Sequence, residues 1–187
     1  MAVKRGEFGY LKAKKRKSLL GTLCMALIGV AIFLAGLFLN KMSNKNIFTV
    51  IAVLFVLPGA KFLVAYIVTF PYKAVTKERY DAVKEKIGEN LQLYTDLVIS
   101  SSEKIMHLDF IVVGNGQVIG LLGKEKQDIA YVRKYLSTGV KNWGSDYKVK
   151  IVESEKMFLT EIANIESKEV DQEEEKNVNS YLISLIV

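Results

Sequence analysis

Two long apolar blocks, separated by six residues, constrain this chain more than any other feature. Residues 19–40 contain no charged side chain, and residues 47–70 contain one, Lys61. At about 1.5 Å per residue, each block forms a helix long enough to cross a hydrocarbon core of about 30 Å. Backbone amides in lipid find no water to bond, so we expect both blocks to be helical. The short polar connection, 41–46, therefore predicts an antiparallel transmembrane hairpin.

The distribution of charge predicts how this hairpin is oriented. Residues 1–18 hold seven basic side chains and one acidic side chain, whereas the connection holds two lysines. Basic residues beside a span favour the cytoplasmic side, so both termini are expected in the cytoplasm. The chain has many lysines and only four arginines, a composition typical of AT-rich bacterial genomes. We therefore expect a multi-pass protein of a bacterial plasma membrane.

Two features of the predicted membrane segment are candidates for function. The basic run Lys14, Lys15, Arg16 and Lys17 could contact anionic lipid headgroups, or simply fix the orientation. Lys61 could form part of a site for an ion, a proton or a lipid headgroup. The alternative is that its aliphatic stem extends along the helix and places the ammonium at the membrane interface.

Small residues recur at seven-residue spacing in both blocks, at Gly29 and Gly36 and at Ala52 and Gly59. Small side chains let helices approach closely in lipid. This spacing predicts close helix packing, either within the hairpin or between copies.

The remaining residues, 73–187, show the patterns of one small α/β domain. They hold an excess of acidic over basic side chains, which disfavours a general nucleic-acid-binding surface. The predicted elements are helix 76–91, strands 92–99, 104–114 and 117–123, helix 128–143, strand 147–152 and helix 155–165. The order α-β-β-β-α-β-α indicates helices packed on a mixed sheet. Residues 166–176 are predicted to be an acidic linker, and residues 177–187 a final helix or a strand.

Most catalytic motifs are missing from the sequence. The single Cys and the single His disfavour an all-protein zinc site, and one Cys excludes a disulfide scaffold. A dinucleotide loop that begins at Gly114 and Gly116 needs its third glycine at position 119, but the next glycine is Gly120. The sequence around Lys124 also lacks the pattern of a P-loop.

One group of polar residues remains a candidate site. Asn115-Gly116 predicts a two-residue β-hairpin turn. In that register Asp109 faces Leu122 and His107 faces Lys124, so His107, Asp109 and Lys124 would lie together at the end of the hairpin away from the turn.

An Asp on one strand and a Lys on the next, within this order of elements, resembles the PD-(D/E)xK nuclease-like fold, including its NERD-type and restriction-endonuclease-like relatives. The resemblance covers residues 76–165. It implies that Asp109 binds a divalent metal such as Mg²⁺ and that Lys124 assists the attacking water. The second acidic ligand of that pattern is replaced by Leu122, so Glu85 or Glu89 would have to supply the missing oxygen.

The leading hypothesis is therefore a membrane-tethered cytosolic interaction or scaffold module, degenerate as an enzyme and without a cofactor, which binds a protein partner or another copy of itself. The alternative is a membrane-anchored, metal-dependent nuclease acting on nucleic acid. A weaker alternative is a small channel or transporter subunit using Lys61.

Overall fold

The computed structural model describes residues 3–43, 45–88, 90–124, 126–165 and 170–187. The chain forms two compact units. One is Lys12–Pro71, and the other combines residues 3–11 with Tyr72–Val187.

The first unit consists of apolar helices, as predicted. The first block lies in α1 (Tyr10–Leu39), and the second forms α2 (Ile47–Leu54) and α3 (Val56–Thr69). Both apolar stretches are long enough to cross a membrane, and most of their side chains are exposed. Helix α1 begins well before the apolar block because its Lys and Arg residues are good helix formers.

The second apolar stretch is interrupted by a turn at Phe55. Pro58 lies three residues further on and has no N–H to donate to the carbonyl of Leu54. A proline inside a helix breaks or kinks it at this position, which accounts for the division into α2 and α3.

Glycines bring the helices of the first unit close together. A Cβ at Gly36 would lie 2.5 Å from Cβ of Phe48, and one at Gly21 would lie 2.8 Å from the ring of Phe62. Gly29 faces the backbone oxygen of Ala52. The close packing predicted from the seven-residue spacing is therefore found within the hairpin.

The second unit is built on a four-stranded mixed sheet. Its strands are β1 (Gln92–Ser100), β2 (Ile105–Gly114), β3 (Gln117–Leu122) and β4 (Lys148–Val152), in the order β1-β2-β3-β4. The first three strands are antiparallel, and β4 is parallel to β3. The predicted α/β class and mixed sheet are confirmed.

Four helices cover the two faces of this sheet: α4 (Lys77–Lys84), α5 (Ile129–Lys141), α6 (Glu155–Ala163) and α7 (Gln172–Ser184). Apolar residues of α5 and α7 pack in one core, with Leu108 and Ile111 of β2. Residues of α4 and α6 pack in the other, with Phe110 and Val112 of the same strand.

Some boundaries differ from those predicted. Helix α4 ends at Lys84 instead of residue 91, and a turn follows. Helix α7 begins at Gln172, inside the predicted acidic linker, because the Asp171 side chain accepts a hydrogen bond from the backbone N–H of Glu173. Acidic side chains also stabilise the first turn of a helix. Residues 166–169 of that linker lie outside the described residues.

Candidate functional site

The register of the β2–β3 hairpin decides where the predicted site residues lie. Asn115 and Gly116 have φ of 52° and 71°, as a type I′ turn requires, and the predicted pairing holds as far as Phe110 with Leu121. Beyond that pair the register shifts, and Leu108 faces Leu122. Asp109 is the extra residue of a β-bulge.

The bulge makes part of the predicted geometry wrong. Asp109 does not face Leu122, and the backbone oxygen of His107 accepts from the N–H of Gly123 instead of lying opposite Lys124. Lys124 follows the end of β3 and is exposed, with no hydrogen bond or ion pair to the described residues. An extra residue in one strand shifts every pair beyond it, and no sequence signal marked this bulge.

The carboxylate of Asp109 is paired with an arginine. Arg79 of α4 places Nη1 2.8 Å from Oδ2 of Asp109 and Nη2 2.9 Å from Oε2 of Glu155, at the start of α6. Asp109 is 4% exposed, whereas the Glu155 side chain is 40% exposed. The guanidinium also lies over the ring of Phe110. Arg79 thus links α4 to β2 and to α6.

The two carboxylates stabilise the positive charge of Arg79. Burial lowers the pKa of Arg79, but its hydrogen bonds to Asp109 and Glu155 outweigh that effect and raise the pKa above its ordinary value. The arginine therefore stays charged. It neutralises a carboxylate that would be costly to bury alone.

A second buried carboxylate lies on the neighbouring strand. Asp96 of β1 is opposite Asp109, between the paired residues Thr95–Phe110 and Leu97–Leu108. Asp96 is 1% exposed and has φ of 55°, an unusual backbone conformation for a residue with a side chain. Its Oδ1 accepts a hydrogen bond of 2.7 Å from the backbone N–H of Val75. Asp96 thus fixes the segment that precedes α4.

His107 is also buried and held from two sides. Its ring lies 4.9 Å from the ring of Tyr72, between centroids. Its backbone N–H donates to Oε1 of Gln127, and its backbone oxygen accepts from Nε2 of the same side chain, both at 2.7 Å. These contacts give the histidine an evident structural role.

The structure describes one of the two residues proposed to complete a metal site with Asp109. Glu85 lies at the exposed C-terminus of α4, and Glu89 lies outside the described residues. In the described part of the chain, no three His, Cys, Asp or Glu side chains are placed to hold a metal ion. A divalent cation such as Mg²⁺ needs several oxygen ligands, and Arg79 takes one oxygen of Asp109. The arrangement fits an internal ion pair better than a metal centre.

Sequence reasoning missed the residues that organise this cluster. Arg79 and Glu155 are far apart along the chain, and each resembles an ordinary surface charge in sequence. The one available signal was Asp96, a charged residue inside a strand rich in apolar side chains.

In the helical unit, the basic run lies on α1. Nζ of Lys15 donates to the backbone oxygen of Phe70, just after α3 ends, at 3.1 Å. A cation is favourable there because the last carbonyls of a helix lack partners. Contact of Lys14, Arg16 and Lys17 with lipid headgroups stays a prediction. Lys61 is exposed on α3.

The two edges of the sheet differ. On the β1 edge, the N–H of Thr95 donates to the oxygen of Gly6, and the N–H of Val187 donates to the oxygen of Val98. The chain's own first and last described segments therefore cover this edge. Thr95 holds the segment before α1, and the adjacent Asp96 holds the segment after α3.

The β4 edge is open along much of its length. Lys148 donates its backbone N–H to Gly116 beside β3, so alternation along the strand turns the backbone groups of Val149 and Ile151 outward. One of these outward groups, the backbone oxygen of Ile151, accepts a hydrogen bond of 3.2 Å from the Arg133 guanidinium.

A groove of about 500 Å³ runs beside this edge. Ile129 and Arg133 of α5 line one side of it, and Met157 and Glu161 of α6 line the other. Met157 is 56% exposed, which is high for an apolar side chain. The groove therefore offers apolar surface on both sides of a strand with unpaired backbone groups.

No protein-family model, curated protein or solved structure matches the chain. The nuclease-like resemblance therefore has no support from these comparisons and stays a prediction.

Proposed function

We propose that the protein is a membrane-tethered cytosolic module that binds a partner protein through the β4 edge. The observation that carries this proposal is the difference between the two sheet edges. The chain's own segments cover the β1 edge, whereas the β4 edge keeps outward backbone groups beside an apolar groove. An exposed sheet edge is a ready template for an added strand.

The partner we propose is an extended segment of another protein. Its backbone would bond to Val149 and Ile151, and its side chains would alternate between the α5 and α6 sides of the groove. A second copy of β4 is a poor occupant, because Lys148 and Lys150 would approach the same lysines of the other strand.

The tether is the pair of apolar helices. Their length and exposed apolar surface suit a bilayer, and the excess of basic residues before α1 favours a cytoplasmic position for both termini. Holding the domain at the membrane raises its local concentration near other membrane proteins, so weak strand contacts become effective.

Site-specific photocrosslinking in intact cells tests the partner-binding surface. A photoreactive amino acid at Met157 lies in the groove, and the same amino acid at Lys86, an exposed residue just after α4, is the control. We expect one discrete adduct from position 157 and none from position 86. The Val149→Pro variant removes an outward N–H while edge strands tolerate proline, so it should abolish the adduct.

Equal crosslinking at positions 157 and 86, or an adduct that persists in Val149→Pro, would rule out strand addition at β4. An adduct at twice the mass of the chain would identify a second copy and contradict the proposed partner. The single tryptophan, Trp143, reports by its fluorescence whether each variant is folded.

The alternative, a membrane-anchored nuclease, rests on the order α4-β1-β2-β3-α5-β4 with Asp109 on β2 and Lys124 after β3. The ion pair of Asp109 with Arg79 weighs against it. We expect the full-length protein in detergent to show no Mg²⁺-dependent cleavage of DNA or RNA. Cleavage that is lost in Asp109→Ala would establish the alternative instead.

The channel reading depends on Lys61. We expect Lys61→Leu to leave ion flux across reconstituted vesicles unchanged. An ion flux that depends on Lys61 would favour a channel or transporter subunit over the proposed partner-binding module.

A further inference from the structure

Lys61 is placed where a charge is costly if α3 crosses a membrane. It lies eight residues before Thr69 and fourteen after Ile47, about 12 Å and 21 Å along the helix axis. Its side chain is exposed and makes no hydrogen bond or ion pair with the described residues. An ionisable residue at such a depth generally faces a polar partner.

The direction of the side chain works against escape to the nearer interface. Side chains on a helix lean toward its N-terminus. The Lys61 stem therefore leans toward the Ile47 end, away from the closer Thr69 end. Extending the ammonium to the nearer headgroups would require the stem to run against this lean.

Lys61 also points away from the rest of the hairpin. Phe62 and Gly59 form the side of α3 that meets α1, at Gly21 and Met25. Leu57, Lys61 and Val64 follow the spacing of four and three residues that aligns side chains along one helix face. Leu57 and Val64 are 71% and 58% exposed. We call these three residues the outer stripe.

We propose that the outer stripe binds a transmembrane helix of another protein that carries a carboxylate at the depth of Lys61. This inference rests on the membrane anchoring proposed above. The carboxylate would neutralise the Lys61 ammonium in a medium where charges are weakly screened. Leu57 and Val64 would pack against the partner helix on either side of this ion pair.

Charge complementarity excludes a second copy of this chain as the occupant. The sequence has no acidic residue between Glu7 and Glu78, so neither apolar helix can supply a carboxylate. Two copies joined through the outer stripe would bring two ammonium groups together. The partner helix must therefore come from a different protein.

Energy transfer in vesicles tests this pairing with a defined probe. Full-length protein bearing a donor fluorophore is reconstituted in phosphatidylcholine vesicles with an acceptor-labelled, leucine-rich peptide of about 20 residues, long enough to span. One peptide carries a central Asp, and the matched peptide carries Leu there. We expect about tenfold tighter association of the Asp peptide, in line with polar contacts between spans. Lys61→Leu should abolish the difference, Lys61→Arg should keep it, and Lys41→Leu should not affect it.

Equal association of the two peptides, or an Asp preference that survives Lys61→Leu, would overturn the inference. A Lys61-dependent enrichment of fluorescent phosphatidylglycerol, with no preference for the Asp peptide, would overturn it in favour of an anionic lipid. Flotation of the protein with the vesicles after an alkaline wash is measured first. Failure at that step would contradict the anchor itself, which separates the two proposals.

Discussion

Arg79 and Asp109 form an ion pair between α4 and the β-bulge of β2, with 2.8 Å between Nη1 and Oδ2. The guanidinium takes one oxygen of the carboxylate that the nuclease-like resemblance expects to bind a metal ion. Through Glu155, the same arginine also reaches α6. The cluster therefore joins three elements on one face of the sheet.

Removing one member of this pair should be strongly destabilising. Arg79→Ala leaves the Asp109 carboxylate buried and unpaired, so we expect the free energy of unfolding to fall by about 3 kcal/mol. Asp109→Ala should cost less than Arg79→Ala, because Arg79 is partly exposed and keeps its ion pair with Glu155. The double variant should cost less than the two single changes together. Urea unfolding of the full-length protein in detergent, followed by Trp143 fluorescence, measures this. Strict additivity would show that the two side chains do not interact.

Asp96 should be sensitive to its backbone conformation as well as to its side chain. Asp96→Ala removes the acceptor of the Val75 N–H and places alanine at φ of 55°, so we expect a loss of about 2 kcal/mol. Asp96→Asn keeps an acceptor oxygen and tolerates this conformation, so it should lose less. Hydrogen exchange at the Val75 amide should speed up in Asp96→Ala alone. Equal losses in the two variants would contradict this account.

Tyr94 should make stability fall at alkaline pH. Burial, with a smaller contribution from Glu175, raises the pKa of Tyr94 to about 12, and its hydroxyl lies 2.9 Å from Oδ1 of buried Asn179. The unfolded tyrosine loses its proton near pH 10, before the folded one does. The stability that the neutral hydroxyl provides is thus complete below pH 10 and is lost as the pH rises toward 12.

Tyr94→Phe supplies the comparison for that pH dependence. At neutral pH the variant should be less stable by about 1 kcal/mol, because Asn179 loses a hydrogen-bond partner. Between pH 10 and 12 the wild-type protein should lose about 2 kcal/mol relative to the variant. Parallel stability profiles for the two proteins would show that Tyr94 does not govern alkaline unfolding.

Gly139 should resist replacement although it lies inside α5. Alanine usually stabilises a helix relative to glycine by about 1 kcal/mol. A Cβ at Gly139 would overlap the Tyr181 hydroxyl and lie 2.5 Å from its Cζ, so Gly139→Ala must displace that ring. We expect a net loss of about 2 kcal/mol from overpacking. Gly88→Ala is the matched control, because a Cβ there meets nothing within 4 Å. A stable Gly139→Ala protein would contradict the packing of α7 on α5.

Patterns repeated along the chain predicted the fold well. The apolar blocks predicted the helices because their signal recurs over many residues. Asn115-Gly116 predicted the turn because the conformation of a two-residue turn depends on those two residues alone. The bulge at Asp109 was not predictable, since β2 is buried on both faces and has no alternating pattern that an extra residue would interrupt.

The candidate site was harder to predict than the fold. Asp109 pairs with Arg79 of α4, which also bonds to Glu155 of α6, and no spacing rule links Arg79 or Glu155 to a strand residue so distant in sequence. The same holds for the β1 edge, where Gly6 bonds to Thr95 across much of the chain. Nothing in the first residues marked them as part of the α/β unit.

Cysteine accessibility in intact cells tests the membrane tether most directly. In a Cys24→Ala background, Ser43→Cys places a thiol between the two apolar helices, and Ser102→Cys places one in the exposed turn between β1 and β2. We predict that a membrane-impermeant maleimide labels the Ser43→Cys variant from outside and labels the Ser102→Cys variant only after the cells are permeabilised. Labelling of the Ser102→Cys variant from outside intact cells, or recovery of the protein in the soluble fraction, would contradict the account.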